Sequence, residues 1–235
     1  SADHSVYINQ ELQDYGVKMG AHKERAHTIG TGVDLDRFHP DIEAASLRRE
    51  LGFSQNDLVL LFVGWLYEFT GIDTIMHTML KLPPHVKLLV VGSGEAETKL
   101  RRLQQSLDLG ERVVFAGKQP YDLIPKFIAA ADVGLMYSNI NDVTRHILPV
   151  KTYEYLASGK PVLASQLPGV MREVPPGNGV LYAPQDQLGT IIKQLLNKEM
   201  RLMEGARGRA FTEVHCDWES LTDDFEHLMV TAATY

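Results

Sequence analysis

The stretch that decides the fold is "DLVLLFVGWL", Asp57 to Leu66. Leu58 to Val63 are all apolar, and Gly64 ends the run. A strand with one face in water alternates polar and apolar residues; one covered by helices on both faces does not. A helical pattern follows in "GIDTIMHTMLKL" from Gly71. The same unit recurs outward along the chain. "VKLLVVGSG" from Val86 precedes "EAETKLRRLQQSL", and "RVVFAGK" from Arg112 precedes "YDLIPKFIAAA". "DVGLMYS" from Asp132, "KPVLAS" from Lys160 and "NGVLYA" from Asn178 complete six candidate strands. Strand and helix in regular alternation predict an α/β, Rossmann-like six-stranded parallel sheet with helices on both faces and right-handed crossovers.

The two ends fall outside this rhythm. "HSVYI" and "NQELQDYG" read as one strand and one helix, and "AHTIGTGVDLDRFHP" reads as a loop leading into the main domain. The C-terminal "DWESLTDDFEHLMVTAATY" reads as an amphipathic helix with a polar tail. Both ends either pack on something else or cap the sheet edges.

Composition narrows the function. The 235 residues carry a formal charge of -7, which argues against a nucleic-acid partner, since a phosphate backbone calls for a basic face. A local basic pocket is still compatible with that sum. Cys216 is the single cysteine, so neither an internal disulfide framework nor a Cys-rich zinc site is expected. No apolar run is long enough to span a bilayer. The opening "SADHSVYINQ" lacks the basic start and apolar stretch of a signal peptide. The expectation is a soluble, cytoplasmic protein.

Ligands of open parallel sheets bind at the carboxyl ends of the strands, where helix N-termini point their N–H groups outward. Gly92-Ser93-Gly94 supplies two glycines of a dinucleotide fingerprint, but Glu97 occupies the third place and Glu95 would repel a pyrophosphate. NAD is therefore not expected. The segment "HILPVKTYEYLASG", His146 to Gly159, is richer. Pro149 suits the first helical position, which leaves the N–H groups of Val150 and Lys151 facing an anion at the positive end of the helix dipole. Lys151 adds a full charge. Glu154 lies one turn on, where a carboxylate can accept hydrogen bonds from a ribose diol. The alternative is a surface salt bridge from Glu154 to Lys151 or Lys160.

"EYLASGKPVLAS", Glu154 to Ser165, resembles the Glu-Ala-x-Ala-x-Gly-x-Pro-Val-Ile-Ala signature of the retaining glycosyltransferases with two Rossmann-like domains (the GT-B fold, family 4 or group 1). The resemblance runs from about Ala2 to Met229. "TGVDLDRFHP" looks like the interdomain linker, "FVGWLYEFTGIDTI" the first strand and phosphate loop, and "DWESL" the last helix. It implies an N-terminal acceptor domain of which residues 1–25 are the last strand and helix. It further implies a linker at 26–40, a donor-binding domain at 41–216, and a crossing helix and tail at 217–235. Such a piece is expected to be inactive without its acceptor domain, through which peripheral membrane contact stays open.

The resemblance also implies site roles. Glu154 would hold the ribose hydroxyls, and Pro149, Val150 and Lys151 the diphosphate. Val114 to Gly117 would meet the base edge. Gly64 would admit the phosphates, with Gly92 and Lys118 in neighbouring turns. The ligand implied is a nucleotide-diphosphate sugar, with no cofactor and no metal.

Three positions depart from the family pattern. His146 stands where the first Glu of a Glu-x7-Glu pair would hold sugar hydroxyls; it is either a hydroxyl donor or a plain loop residue. Trp65 and Thr70 stand where an Arg and a Lys would neutralise the departing diphosphate, a form of electrostatic catalysis. Lys151, Arg145 and Lys118 are the available substitutes, Lys151 first among them. Trp65 either stacks on a base or sugar or packs the turn. Two other readings stay open: a degenerate module that binds sugar nucleotides or protein without turnover, and a sugar-nucleotide 2-epimerase, which needs acid–base carboxylates.

Overall fold

The computed structural model of the chain describes residues 4–141, 144 and 150–232. Eight strands run in chain order: β1 (Ser5–Tyr7), β2 (Ala26–Thr28), β3 (Leu58–Val63), β4 (Val86–Val91), β5 (Val113–Gly117), β6 (Val133–Met136), β7 (Val162–Ala164) and β8 (Val180–Tyr182). The helices are α1 (Gln10–Lys18), α2 (Ala45–Glu50), α3 (Ile72–Met79), α4 (Glu97–Ser106), α5 (Ile124–Ala130), α6 (Lys151–Ala157), α7 (Pro168–Glu173), α8 (Leu188–Gln194), α9 (Lys198–His215) and α10 (Trp218–Ala232).

The six strands expected from the apolar runs form one parallel sheet in the order β5-β4-β3-β6-β7-β8. The strand order reverses between β3 and β6, and that switch point opens a crevice at the carboxyl ends of both. β3 shows why its run lacks alternation. Leu58, Leu60 and Phe62 enter one core cluster with Ile75, Met79 and Ile192. Val59 and Leu61 enter a second with Phe127, Tyr155 and Leu156 on the other face. Removing that apolar surface from water, at roughly 25 cal/mol per Å², is the main force holding the three layers together.

Ala26–Thr28, read from sequence as part of a loop, is a strand. It pairs in parallel with Ser5–Tyr7, in a two-stranded sheet separate from the main one. α1 begins as expected just after "HSVYI"; the Asn9 side chain caps it, accepting from the Leu12 amide at 2.8 Å. That bond satisfies an amide the first turn leaves without a helical partner.

α6 is the element that positions the site, and three contacts fix it. Gly134 of β6 has no side chain because the Tyr155 ring occupies that space. The Tyr155 hydroxyl then reaches the end of β3 and accepts from the Val63 amide at 2.9 Å. At the other end of α6, Arg209 donates to the Ala157 carbonyl at 2.9 Å and to the Phe38 carbonyl at 2.9 Å. A guanidinium at the negative end of a helix complements its dipole. α6 is therefore bolted to the sheet, and its first turn faces the crevice.

Candidate functional site

A cavity of about 400 Å³ lies at the switch point. Its floor is the end of β3 (Phe62, Val63, Gly64), and one wall is the start of α6 (Val150, Lys151, Glu154). Trp65, Thr70 and Ser138 line other sides. Gly64, Trp65, Val150, Lys151 and Glu154, separated by up to ninety residues in the chain, are thus brought to one place.

α6 begins at Lys151 with Val150 as its N-cap. Pro149, His146 and Arg145 lie outside the described residues.

Lys151 places its ammonium 3.9 Å from the centroid of the buried Phe62 ring. A cation over an aromatic face gains electrostatic attraction from the ring. Burial lowers the Lys151 pKa to about 7, against the opposing pull of Glu154. Gly64 has φ +141°, and a side-chain carbon added there would sit 3.5 Å from the Lys151 nitrogen. Gly64 thus keeps the space before this cation open.

Glu154 is buried, and burial pushes its carboxyl pKa above the usual range, opposed by Tyr121 and Lys151. Its Oε1 accepts from the Tyr121 hydroxyl at 2.9 Å. Among the described residues no ion pair joins Glu154 to Lys151 or Lys160. Lys160 points elsewhere, donating to the Ala131 carbonyl at 2.8 Å and the Ala129 carbonyl at 3.2 Å. The surface salt-bridge alternative is therefore set aside. A buried carboxylate retains several acceptor sites for hydroxyls.

The remaining predicted residues fall at different distances from the cavity. Gly92 lies outside its lining. The place a side chain would take at Gly92 is filled by the Gly64 carbonyl, and φ there is +139°. The Gly64 amide donates to the Val91 carbonyl at 2.9 Å, and the Gly92 amide to the Gly117 carbonyl at 2.8 Å. Gly92 therefore supports the turn that carries Gly64. Val114 is part-buried against the second core cluster, while Gly117, at φ +69°, faces open space and Lys118 is exposed.

The two departures also have definite surroundings. Thr70 spends its hydroxyl on the Tyr67 carbonyl at 2.8 Å. Trp65 is 54% exposed, its ring 6.3 Å from Tyr67, which stacks on Phe69 at 4.9 Å. An aromatic rim thus occupies the side where the family pattern has cations.

Sequence reading missed Tyr121, Arg37 and Phe38. Arg37 lies 5.1 Å over the Tyr121 ring, and Phe38 meets that ring edge-on at 5.9 Å. No local motif in "QPYDL" announces a contact to a helix thirty-three residues later. Among the described residues no group of three or more His, Cys, Asp or Glu is placed to hold a metal ion, and no helix is long and apolar enough to cross a membrane.

A doubly wound parallel sheet with a crevice at its switch point is the arrangement in which open α/β domains take their ligands. Residues 43–210 match the family described as glycosyl transferases group 1. The chain belongs to that family. It is 29% identical over 235 residues to a GDP-mannose-dependent monoacylated alpha-(1-6)-phosphatidylinositol monomannoside mannosyltransferase of Corynebacterium glutamicum, covering 95% of this chain and 61% of that protein. It is 30% identical over 211 residues to D-inositol 3-phosphate glycosyltransferase 2 of Catenulispora acidiphila, covering 83% of this chain and 48% of that one. The chain thus spans about half to three fifths of these relatives. Among solved structures, Anabaena HepE in complex with UDP and glucose superposes with a TM-score of 0.83 at 21% identity, covering 97% of this chain and 63% of that one. That likeness establishes the α/β fold with its six-stranded parallel sheet.

Proposed function

We propose that this chain is the donor-binding part of a retaining glycosyltransferase that moves a sugar from a nucleotide-diphosphate sugar to an acceptor. The observation that carries the proposal is the convergence of the Lys151 ammonium, the buried Glu154 carboxylate and the side-chain-free Gly64 on one cavity. The diphosphate lies against the Val150 and Lys151 end of α6, with Lys151 as the neutralising cation in place of the family's Arg and Lys. Glu154 accepts from the ribose hydroxyls, the base lies along Val114 to Gly117 with Lys118 beyond it, and Trp65 stacks on the bound ligand. His146 and Pro149, which precede α6 in the sequence, complete the proposed set of ligand contacts.

Lys151 also carries the chemistry. As the bond between sugar and diphosphate breaks, negative charge grows on the leaving oxygens, and a cation held in a low-dielectric site stabilises it. No metal enters this scheme. An acceptor hydroxyl, held by a preceding acceptor domain of which residues 1–25 are the last portion, joined through residues 26–40, bonds to the sugar's anomeric carbon as the diphosphate leaves and gives up its proton to the leaving diphosphate oxygen; α10 crosses back towards that domain. The names of relatives that use GDP-mannose or bind UDP support a nucleoside diphosphate as ligand.

A thermal-shift screen with UDP- and GDP-sugars tests this reading. At a hundredfold excess over Kd a ligand adds about 2.7 kcal/mol, or roughly 5–10 °C for a domain of this size. No shift with any nucleotide sugar at millimolar concentration would overturn the proposal.

The degenerate-module reading rests on Trp65 and Thr70. Thr70, with its hydroxyl committed to Tyr67, is no substitute for a cation. Turnover by a longer chain that includes the preceding domain separates the two readings. The epimerase reading is disfavoured, because Glu154 is the one carboxylate among the described residues lining the cavity.

A further inference from the structure

Glu154 does not stand alone. Its Oε1 is held by the Tyr121 hydroxyl at 2.9 Å, from a short turn that follows β5. Tyr121 is itself fixed from a third direction. The Arg37 guanidinium sits 5.1 Å above its ring, and Arg37 is tethered to Asp122 at 3.0 Å and to Asp34 at 3.6 Å. Fully buried Phe38 closes on the ring edge. The segment before the main domain, the β5 turn and α6 therefore meet in one chain of contacts: Arg37 to Tyr121 to Glu154.

We infer that Tyr121 is a positioning residue that turns Glu154 into a reader of ribose hydroxyls. The inference rests on the donor-site reading above. A glutamate side chain has three rotatable bonds, and one free to wander would lose rotamer entropy on binding a diol. By donating to Oε1, Tyr121 fixes the carboxylate before any ligand arrives. It occupies one of roughly four acceptor positions and leaves the two on Oε2 open. The same bond favours the ionised carboxylate, an acceptor-only group, against the effect of burial. Both effects favour a ligand that donates two adjacent hydroxyls, and neither helps a ligand that lacks one. Tyr121 thereby sets discrimination between ribo- and deoxyribonucleotides, and Arg37 ties that discrimination to the segment at residues 34–38.

The test uses the 235-residue chain and calorimetric titration with UDP and GDP and their 2′-deoxy counterparts. Tyr121→Phe keeps the half-exposed ring, with its Arg37 and Phe38 contacts, and deletes the hydroxyl. The wild-type chain is expected to prefer the ribonucleotide about tenfold or more, as a lost hydrogen bond to a charged group implies. In Tyr121→Phe, ribonucleotide affinity should fall about five- to tenfold while deoxynucleotide affinity moves less than about twofold. Arg37→Met should give a smaller loss with the same pattern. Equal loss for both sugars, or no change in either, would overturn the role of Tyr121 and leave the donor site intact. A wild-type chain that binds no nucleoside diphosphate would instead remove the donor site, and this inference with it.

Discussion

Two glycine turns end neighbouring strands of the same sheet. Gly64 follows β3 and Gly92 follows β4, both with positive φ, at +141° and +139°. Gly64 looks into the cavity, where an added methyl would meet the Lys151 ammonium at ordinary contact distance. Gly92 looks at Gly64, and its missing side chain is replaced by the Gly64 carbonyl. One glycine serves the ligand space and the other serves the first glycine. A close approach to backbone tolerates nothing, whereas a close approach to a flexible side chain tolerates a shift.

The most severe way to break this comparison is Gly92→Ala. Its new carbon would collide with main-chain atoms that cannot move without displacing the whole turn. A loss above about 4 kcal/mol, or failure to fold, is expected in urea unfolding. A nearly neutral result would mean that the two turns are not in contact as described.

Gly64→Ala should be milder for folding and worse for ligand. Its cost is backbone strain of about 1–3 kcal/mol in the same unfolding experiment. Nucleoside diphosphate affinity, corrected for folded fraction, should fall at least about tenfold, a 1.4 kcal/mol effect. If affinity tracks folded fraction alone, Gly64 has no ligand-facing role.

Lys151 sharpens the contrast, since its ammonium is stored in the protein at a cost. Its folded pKa of about 7 lies below the value near 10.4 of an unfolded lysine. Between those values the unfolded chain binds more protons, so wild-type stability should rise as pH rises from about 7 towards 10. Lys151→Met should lack that slope and gain about 1 kcal/mol at pH 6, the size of many stabilising changes at functional sites. A substitution that destabilises the chain at pH 6 would contradict an ammonium whose desolvation outweighs its contacts with Phe62 and Glu154.

Trp65→Ala should have the smallest effect. Half-exposed and at the rim, Trp65 should change stability within about 0.5 kcal/mol. Loss of stacking should weaken ligand by about 0.5–1.5 kcal/mol. The reverse pattern, with folding hurt and binding untouched, would assign Trp65 to turn packing.

The legible parts of this chain are those whose cause is local. The unbroken apolar runs at Leu58–Val63 and Val86–Val91 could serve no strand with a wet face, so they led directly to a sheet covered on both sides. Lys151 and Glu154 were legible because helical spacing puts them on one turn. Ala26–Thr28 was not, because a three-residue strand exists only through its pairing with Ser5–Tyr7. Tyr121 was hidden for the same reason: its partner is thirty-three residues away in sequence and meets it only in the folded chain. Nor does a glycine such as Gly92 say whether ligand or backbone fills its empty place.

The central claim is that Lys151 meets a diphosphate. Calorimetric titration at pH 7 with UDP and GDP, alongside uridine and guanosine, tests it in wild type and Lys151→Ala. One of the two diphosphates should bind the wild-type chain, and the substitution should weaken it by about 1–3 kcal/mol while leaving the matching nucleoside unchanged. Equal binding of diphosphate and nucleoside in both proteins, or no heat from either diphosphate with the folded chain, would contradict the account.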